Sequence, residues 1–555
     1  MRSAIIRLYK VVHTWAGLVA GLGLFICFYA GGFAVFKDAL NRWATPPSER
    51  TAPAKLSAEQ MHALVRTTLA EHPEVGKEFT LYLADSPVHG PSPMTWEAAG
   101  EGGDDEHDEL TARHFYATLG ADGSSEVAEA KPSKVGEFID VLHRVVGLPF
   151  DTEVGRVLTG VISILYALAL ISGLVFVLPS LVKDFFALRL GKGLKRLWMD
   201  VHNVVGIASL PFHLMIALTA AGFGLHDGIY FVQDGLIHGG TLRSSFGGPR
   251  GEVKPPDPSA MLPPAELVAR AKEVSPTFEP SSLQYRQVTS PRALVRVWGE
   301  DPTAYSPRAR GGFVALDPYN GEVKSADFLP GKMSAPATVV GSFFALHMAT
   351  YGGTPIKWVY FLLAMSGAWL FYSGNLLWVE TRRKKARAEG ERPLQRRDVR
   401  WVAAVTVGVC LGCVAGVSFT LVLAKWLHGH VPDLRPFHQW AYYAVLFAAI
   451  AWASWRGPAR AAIELLWFAA IVTLAIPLTS LVAWLVPFVG MWASTDALGV
   501  DLTALAGAFS FAWMARVTAR RAHTGPEDSV WSLKGAGVGD GAETVHGAVS
   551  GARAA

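Results

Sequence analysis

Charge is scarce in this 555-residue chain. Only 17% of its residues are Asp, Glu, Lys or Arg, against 51% hydrophobic, and the mean hydropathy is +0.27. An ordinary soluble domain carries about 25% charged residues, and here the deficit is concentrated. Val11–Phe36, Val157–Val182 and Val201–Leu225 hold no charged residue at all. Each exceeds the ~20 apolar residues that cross a bilayer, which excludes a soluble protein. Cysteine is also scarce. Cys27, Cys410 and Cys413 lie in apolar runs, so no disulfide framework supports the polar regions. Cys410-Leu-Gly-Cys413 has CxxC spacing, but Val414 stands where covalent haem attachment needs histidine. Thiols inside an apolar helix also react poorly. There is no P-loop, no GxGxxG turn and no Ser-His-Asp arrangement, and the loops expected in the cytoplasm are too short for a flavin or NAD domain. The net charge of +3 comes from short basic clusters rather than one basic face, so no nucleic acid is expected. The first apolar run is too long for a cleavable signal and reads as a retained helix.

Further spans are expected at Trp358–Val379, Trp401–Ala424, Pro436–Trp455 and Leu465–Thr495, the last interrupted by Pro477 and Pro487. Leu502–Ala515 is a short eighth candidate. Lys and Arg cluster at Arg2–Lys10, at Lys183–Arg196, at Arg382–Arg400 and at Arg516–Arg521. By the positive-inside bias, both termini are cytoplasmic and the chain is multi-pass. The expected fold is an α-helical polytopic membrane protein of about eight helices with two small α+β modules on the outer side, inserted between helices 1 and 2 and between helices 3 and 4. The first helix takes 1–36, a module 37–155, the second helix 156–182 and a cytoplasmic loop 183–198. The third helix takes 199–225, a second module 226–356, the fourth helix 357–380 and a basic loop 381–400. A bundle of about four helices fills 401–515, and a disordered tail is expected over 516–555.

The two modules read as copies. Leu56–Arg66 is a capped helix, with Ser57 three residues before Gln60, and Leu262–Lys272 is its counterpart. Strand-like runs follow at Phe79–Leu83 and Ala293–Trp298. Hairpins are expected at His114–Leu119 with Ala121-Asp-Gly123 and at Gly312–Leu316 with Asp317-Pro-Tyr-Asn-Gly321. Gly100–Glu109 (GEGGDDEHDE) reads as a solvated insertion rather than a metal site. The duplication reaches the helices: His13 and His202 open the first and third, and His143 and His347 precede the second and fourth. Residues 1–378 therefore read as two copies of helix, module, helix.

Against an almost uncharged core, these histidines are the informative residues. His13 and His202 sit at matching depth near the cytoplasmic ends of their helices and can ligate one haem iron from opposite faces. His213 follows His202 by 11 residues. On a straight helix that points both side chains within about 20° of each other, roughly 16 Å apart. A second haem would thus be held by His213 with His347 or His143. Gly17, Gly21, Gly206 and Ala208 leave room for a flat macrocycle. Zinc fits poorly, since the inner layer offers only two ligands. His428, His430 and His438 lie in or beside an outer loop of the C-terminal bundle and could line a site.

The sequence resembles the PepSY-associated transmembrane family. The resemblance rests on His13-x-Trp-x-Gly-Leu, Leu142-His-Arg144, His202-x-x-x-Gly206, Leu346-His347 followed by Gly352-Gly353, and Leu316-Asp-Pro-Tyr-Asn-Gly-Glu322, over roughly 1–385. It implies a bacterial inner-membrane, ferric-siderophore reductase-like protein with both PepSY-like modules in the periplasm, holding two haem b groups through paired histidines. Electrons would come from quinol or a separate cytoplasmic reductase and pass to a ferric siderophore or other ferric chelate. Two other classes stay open: a non-enzymatic membrane protein whose modules bind a periplasmic partner, and a transporter of an iron chelate.

Overall fold

A computed structural model describes residues 3–49, 56–83, 92–98, 110, 112–149, 152–182, 194–237, 239–240, 256–307, 311–387, 393–486, 490–493 and 495–534. The insertion Gly100–Glu109, most of the loop 183–198 and the tail beyond 534 lie outside these residues.

The first repeat runs α1 (Ser3–Ala34), α2 (Lys37–Ala44), α3 (Ala58–Glu71), β1 (Glu78–Tyr82), β2 (Met94–Ala98), β3 (Arg113–Leu119), β4 (Ser125–Ala130), α4 (Val135–Arg144) and α5 (Thr152–Val177). The second runs α6 (Leu194–Ala208), α7 (Leu210–Gly224), α8 (His226–Leu236), α9 (Pro264–Val274), β5 (Glu279–Arg286), β6 (Leu294–Glu300), β7 (Gly312–Leu316), β8 (Val323–Phe328), α10 (Ala335–Met348) and α11 (Gly353–Thr381). Four helices follow: α12 (Arg397–Leu427), α13 (Arg435–Arg456), α14 (Pro458–Leu485) and α15 (Leu498–Thr524).

Six helices are long and apolar enough to cross a membrane, and seven spans result if the bent pair α6–α7 is one. The protein is a multi-pass membrane protein. Pro436–Trp455 falls within the 22-residue α13, which is not among those six. The short candidate Leu502–Ala515 is the centre of a 27-residue helix, because the helix continues through Arg516, Arg520 and Arg521. Pro477 does not end its span: α14 runs through it, as membrane helices tolerate where neighbouring helices satisfy the freed backbone.

One expectation fails outright. The third span is not a straight helix but breaks at Ser209, with α6 and α7 bent by 66°. Pro211, in the first turn of α7, has no N–H for the carbonyl of Ile207 and its ring crowds that carbonyl. The periodicity linking His202 to His213 is lost at the bend.

The two polar modules are one structure. Their strands form a single antiparallel sheet in the order β4-β3-β2-β1-β5-β6-β7-β8. The repeats join edge to edge where β1 pairs with β5, Thr80 opposite Gln284 and Leu81 opposite Leu283. Phe79 and Tyr285 stack there with ring centroids 4.5 Å apart. Pairing through β1 and β5 covers two strand edges that would otherwise template aggregation. The partner of Phe79–Leu83 in the repeat is therefore β5, not the run Ala293–Trp298, which is β6. The helices α3 and α9 pack on the sheet through Leu64, Leu69 and Leu267, sharing one core with Phe79, Leu283 and Val297. Ser57 and Gln60 form the expected capping box. Both hairpin turns appear, with Gly123 and Gly321 at φ of +82° and +71°.

Candidate functional site

Each repeat delivers one histidine near either end of its membrane helices, and the four meet in two pairs. His13 on α1 faces His202 on α6, with ring centroids 6.5 Å apart. His143 on α4 faces His347 on α10, with centroids 5.9 Å apart. The approach helices α4 and α10 precede α5 and α11, so the second pair sits at the module end of the bundle. The level of this pair is marked on α1 by Cys27, 14 residues beyond His13, or about 21 Å along the axis.

The four rings are held by one scheme. His13 Nδ1 donates to the carbonyl of Ala169 at 2.8 Å, and His143 Nδ1 to the carbonyl of Cys27 at 2.8 Å. His202 Nδ1 bonds Ser373 Oγ at 2.9 Å, and His347 Nδ1 bonds Thr219 Oγ1 at 2.8 Å. A carbonyl can only accept, which puts the proton on Nδ1 of His13 and His143. The hydroxyls behave alike, because Ser373 gives its proton to Leu370 O and Thr219 gives its own to Met215 O. All four neutral imidazoles therefore carry the proton on Nδ1 and a lone pair on Nε2. Among the described residues, no hydrogen bond involves Nε2 of any of the four.

The scheme obeys the repeat. The inner histidine of each copy is anchored by the second membrane helix of that copy, α5 or α11. The outer one is anchored by the first, α1 or α7. Metal-bound histidines characteristically donate the other ring N–H to such partners, which fixes tautomer and orientation.

His213 does not join the outer pair, contrary to expectation. It is buried, its Nδ1 lies 2.5 Å from the Tyr166 hydroxyl, and its Nε2 has no partner. Its neighbours are the rings of Phe28 and Phe212, at 5.4 and 5.5 Å. A phenol, rather than a carbonyl or an aliphatic hydroxyl, holds its Nδ1, and its ring neighbours are aromatic side chains rather than a second imidazole. The bend at Ser209 is the cause: it turns α7 away from the line of α6, so Thr219 and not His213 reaches the outer pair. Phe28, Tyr166 and Phe371 form a tight cluster with His213, at centroid distances of 5.3 to 6.0 Å.

The donor sets suit haem. With metal–nitrogen bonds of about 2 Å, two imidazoles on opposite sides of one ion place their centroids roughly 6 Å apart, as both pairs do. Among the described residues no three His, Cys, Asp or Glu gather into a metal site. A metal held by either pair therefore takes its remaining ligands from elsewhere, as iron does from a porphyrin. Beside the inner pair, a Cβ built on Gly17 would meet nothing within 4 Å, and one on Gly206 only Leu370, at 3.9 Å. Both glycines lie one turn beyond a histidine. Gly31 and Gly173 serve differently: a Cβ on either would stand 2.8 Å from Nδ1 of His143 or His13. Their lack of a side chain seats the rings.

These supports leave little trace in the sequence. The carbonyls of Ala169 and Cys27 have no signature in any sequence. Ser373 and Thr219 are visible only as hydroxyls within apolar helices.

A family model for the PepSY-associated TM region matches residues 11–381. The match includes both histidine pairs and both modules and ends with α11. No curated protein matches the chain.

Proposed function

The chain belongs to the PepSY-associated transmembrane family, and we propose that it is a di-haem b oxidoreductase of the bacterial inner membrane that reduces a ferric siderophore or other ferric chelate. The observation that carries this reading is the common tautomer of His13, His202, His143 and His347. In each pair the rings lie 6.5 or 5.9 Å apart between centroids, with Nδ1 tied to the bundle and Nε2 without a hydrogen bond among the described residues. Bound haem would supply one-electron chemistry at two depths of the membrane. The chain's own residues set the spacing, the ligand type and the apolar surroundings.

With α13 counted as an eighth span beside the seven, Lys and Arg between the spans support cytoplasmic termini, with the modules in the periplasm. On that topology His13 and His202 lie on the side where quinol or a cytoplasmic reductase donates, and His143 and His347 lie beneath the sheet. Iron(II) is softer and less charged than iron(III) and is held poorly by hard oxygen donors, so reduction aids its release.

The test is direct. Protein purified from haem-replete cells is expected to be red, with two bis-histidine haems per chain by haem extraction and optical spectrum. A colourless preparation overturns the reading. It would favour a transporter instead, because the break at Ser209 is a feature of transporter helices at substrate sites.

A further inference from the structure

Beyond the family match, the C-terminal helices build a second site against the first module. A cavity of about 570 Å³ lies between the β3–β4 hairpin and the loop that follows α12, a size typical of small-molecule sites. His438, in the first turn of α13, lines it. This side chain is 1% exposed, yet neither ring nitrogen has a partner. His428 lines it too, 7% exposed, with Nε2 bonded to Glu49 at 3.0 Å and Nδ1 unpartnered. Buried polar groups left unpaired are costly, and two histidines in one cavity with three open nitrogens call for a ligand.

The chemistry of the cavity selects that ligand. Arg113, Lys131, Lys134 and Arg435 line it against Glu49, Glu129 and Asp433, so cations outnumber carboxylates. Bonds from Arg113 and Arg435 hold Glu129 and Asp433 below the usual carboxylate range. The histidines are not gathered as a metal site, which disfavours a bare cation. An oxygen-rich anion that accepts hydrogen bonds from imidazole N–H fits.

Position supplies the second argument. The His438 ring lies 5.9 Å from that of Phe138 on α4. His143 is five residues further along the same helix, about 7.5 Å of axial rise. Five residues is also about 500° of turn, so Phe138 and His143 project from nearly opposite sides of α4, and the cavity lies across that one helix from the outer histidine pair.

We propose that this cavity binds the electron acceptor as an anionic, carboxylate-type ferric chelate, with His438 and His428 donating to its oxygens. This rests on the reductase reading for the redox step alone. In that step one electron from quinol or the reductase, which is oxidised, would reach the chelate by way of the haems that the histidine pairs would hold, and iron(III) would become iron(II). No bond to the protein forms or breaks.

Gallium(III) citrate, which has the charge and shape of a ferric chelate but accepts no electron, separates binding from reduction. Titrated calorimetrically into the detergent-purified full chain, it is expected to bind. His438→Leu and His428→Leu should each weaken it about tenfold, the scale of losing a hydrogen bond to a charged group. His438→Gln, which keeps a donor, should weaken it less than threefold. Haem content serves as the folding control. Absence of binding, or equal binding by wild type and both leucine variants, overturns the proposal, as does histidine-dependent binding of zinc(II) without any of gallium citrate. A red protein that fails to bind removes the cavity and leaves the reductase reading; a colourless one that binds does the reverse.

Discussion

His143 and His347 face each other 5.9 Å apart although they come from different repeats, and each is oriented by the first membrane helix of its own repeat. The outer pair is thus the counterpart of the inner pair, and His213 belongs to neither. His13→Ala and His202→Ala are each expected to leave one haem per chain, the same one. His143→Ala and His347→Ala should each leave the other. His213→Ala should retain both, with at most a shifted optical spectrum. Haem extraction with redox titration separates the two centres. Loss of a haem in His213→Ala, with His143→Ala unchanged, would return His213 to the outer pair.

In each pair one histidine is oriented by a backbone carbonyl and the other by a hydroxyl, so only one support per pair is open to substitution. Ser373→Ala removes the acceptor for His202, and Thr219→Val that for His347. Loss of such a partner commonly costs 10–100-fold in metal affinity. The expected result is haem that dissociates faster from the inner centre in one variant and from the outer centre in the other. Transfer to apomyoglobin measures those rates. Effects on the wrong centre, or on neither, would contradict the assigned bonds.

Gly31 and Gly173 probe the seating of the rings without touching a ligand. In Gly31→Ala the new methyl would stand 2.8 Å from Nδ1 of His143 and would displace the bond to Cys27; Gly173→Ala would do the same to His13. Each is expected to lower occupancy of its own centre only. Gly17→Ala meets no protein atom, so a lowered occupancy of the inner centre, the expected outcome, would report the macrocycle itself rather than the seating of a ring. Haem stoichiometry of the three variants distinguishes these cases.

Much of this arrangement was legible in the sequence, for physical reasons that can be named. Uncharged runs identify spans because a bilayer tolerates little charge, and Ser57, Gly123 and Gly321 announce their cap and turns. The equivalence of His13 with His202 and of His143 with His347 shows in the repeat. Other features left weaker signals. Pro211 stood in view, but a proline in an apolar run can kink a helix or be absorbed, as Pro477 is in α14, and only packing decides. That uncertainty misdirected the pairing of His213. The strand β5, Glu279–Arg286, carries a proline and two serines and has little intrinsic strand character. It forms because β1 and β6 flank it, a non-local cause.

The joining of the modules makes them one cooperative unit. Phe79 is 1% exposed, stacks on Tyr285 and sits in the core that both repeats share. Phe79→Ala lies in the first module, yet it removes ring contacts and leaves a cavity at the boundary, a loss of about 3–5 kcal/mol. Modules that folded separately would confine the damage to the first. A continuous sheet spreads it, because β5 loses the partner that covers its edge. Limited proteolysis of the intact protein, with cleavage sites assigned by mass spectrometry, reads both halves at once. The expected outcome is that sites in both modules become cleavable at the same lowered temperature. Protection retained between Pro264 and Phe328 while the first module is cut would show two independent domains.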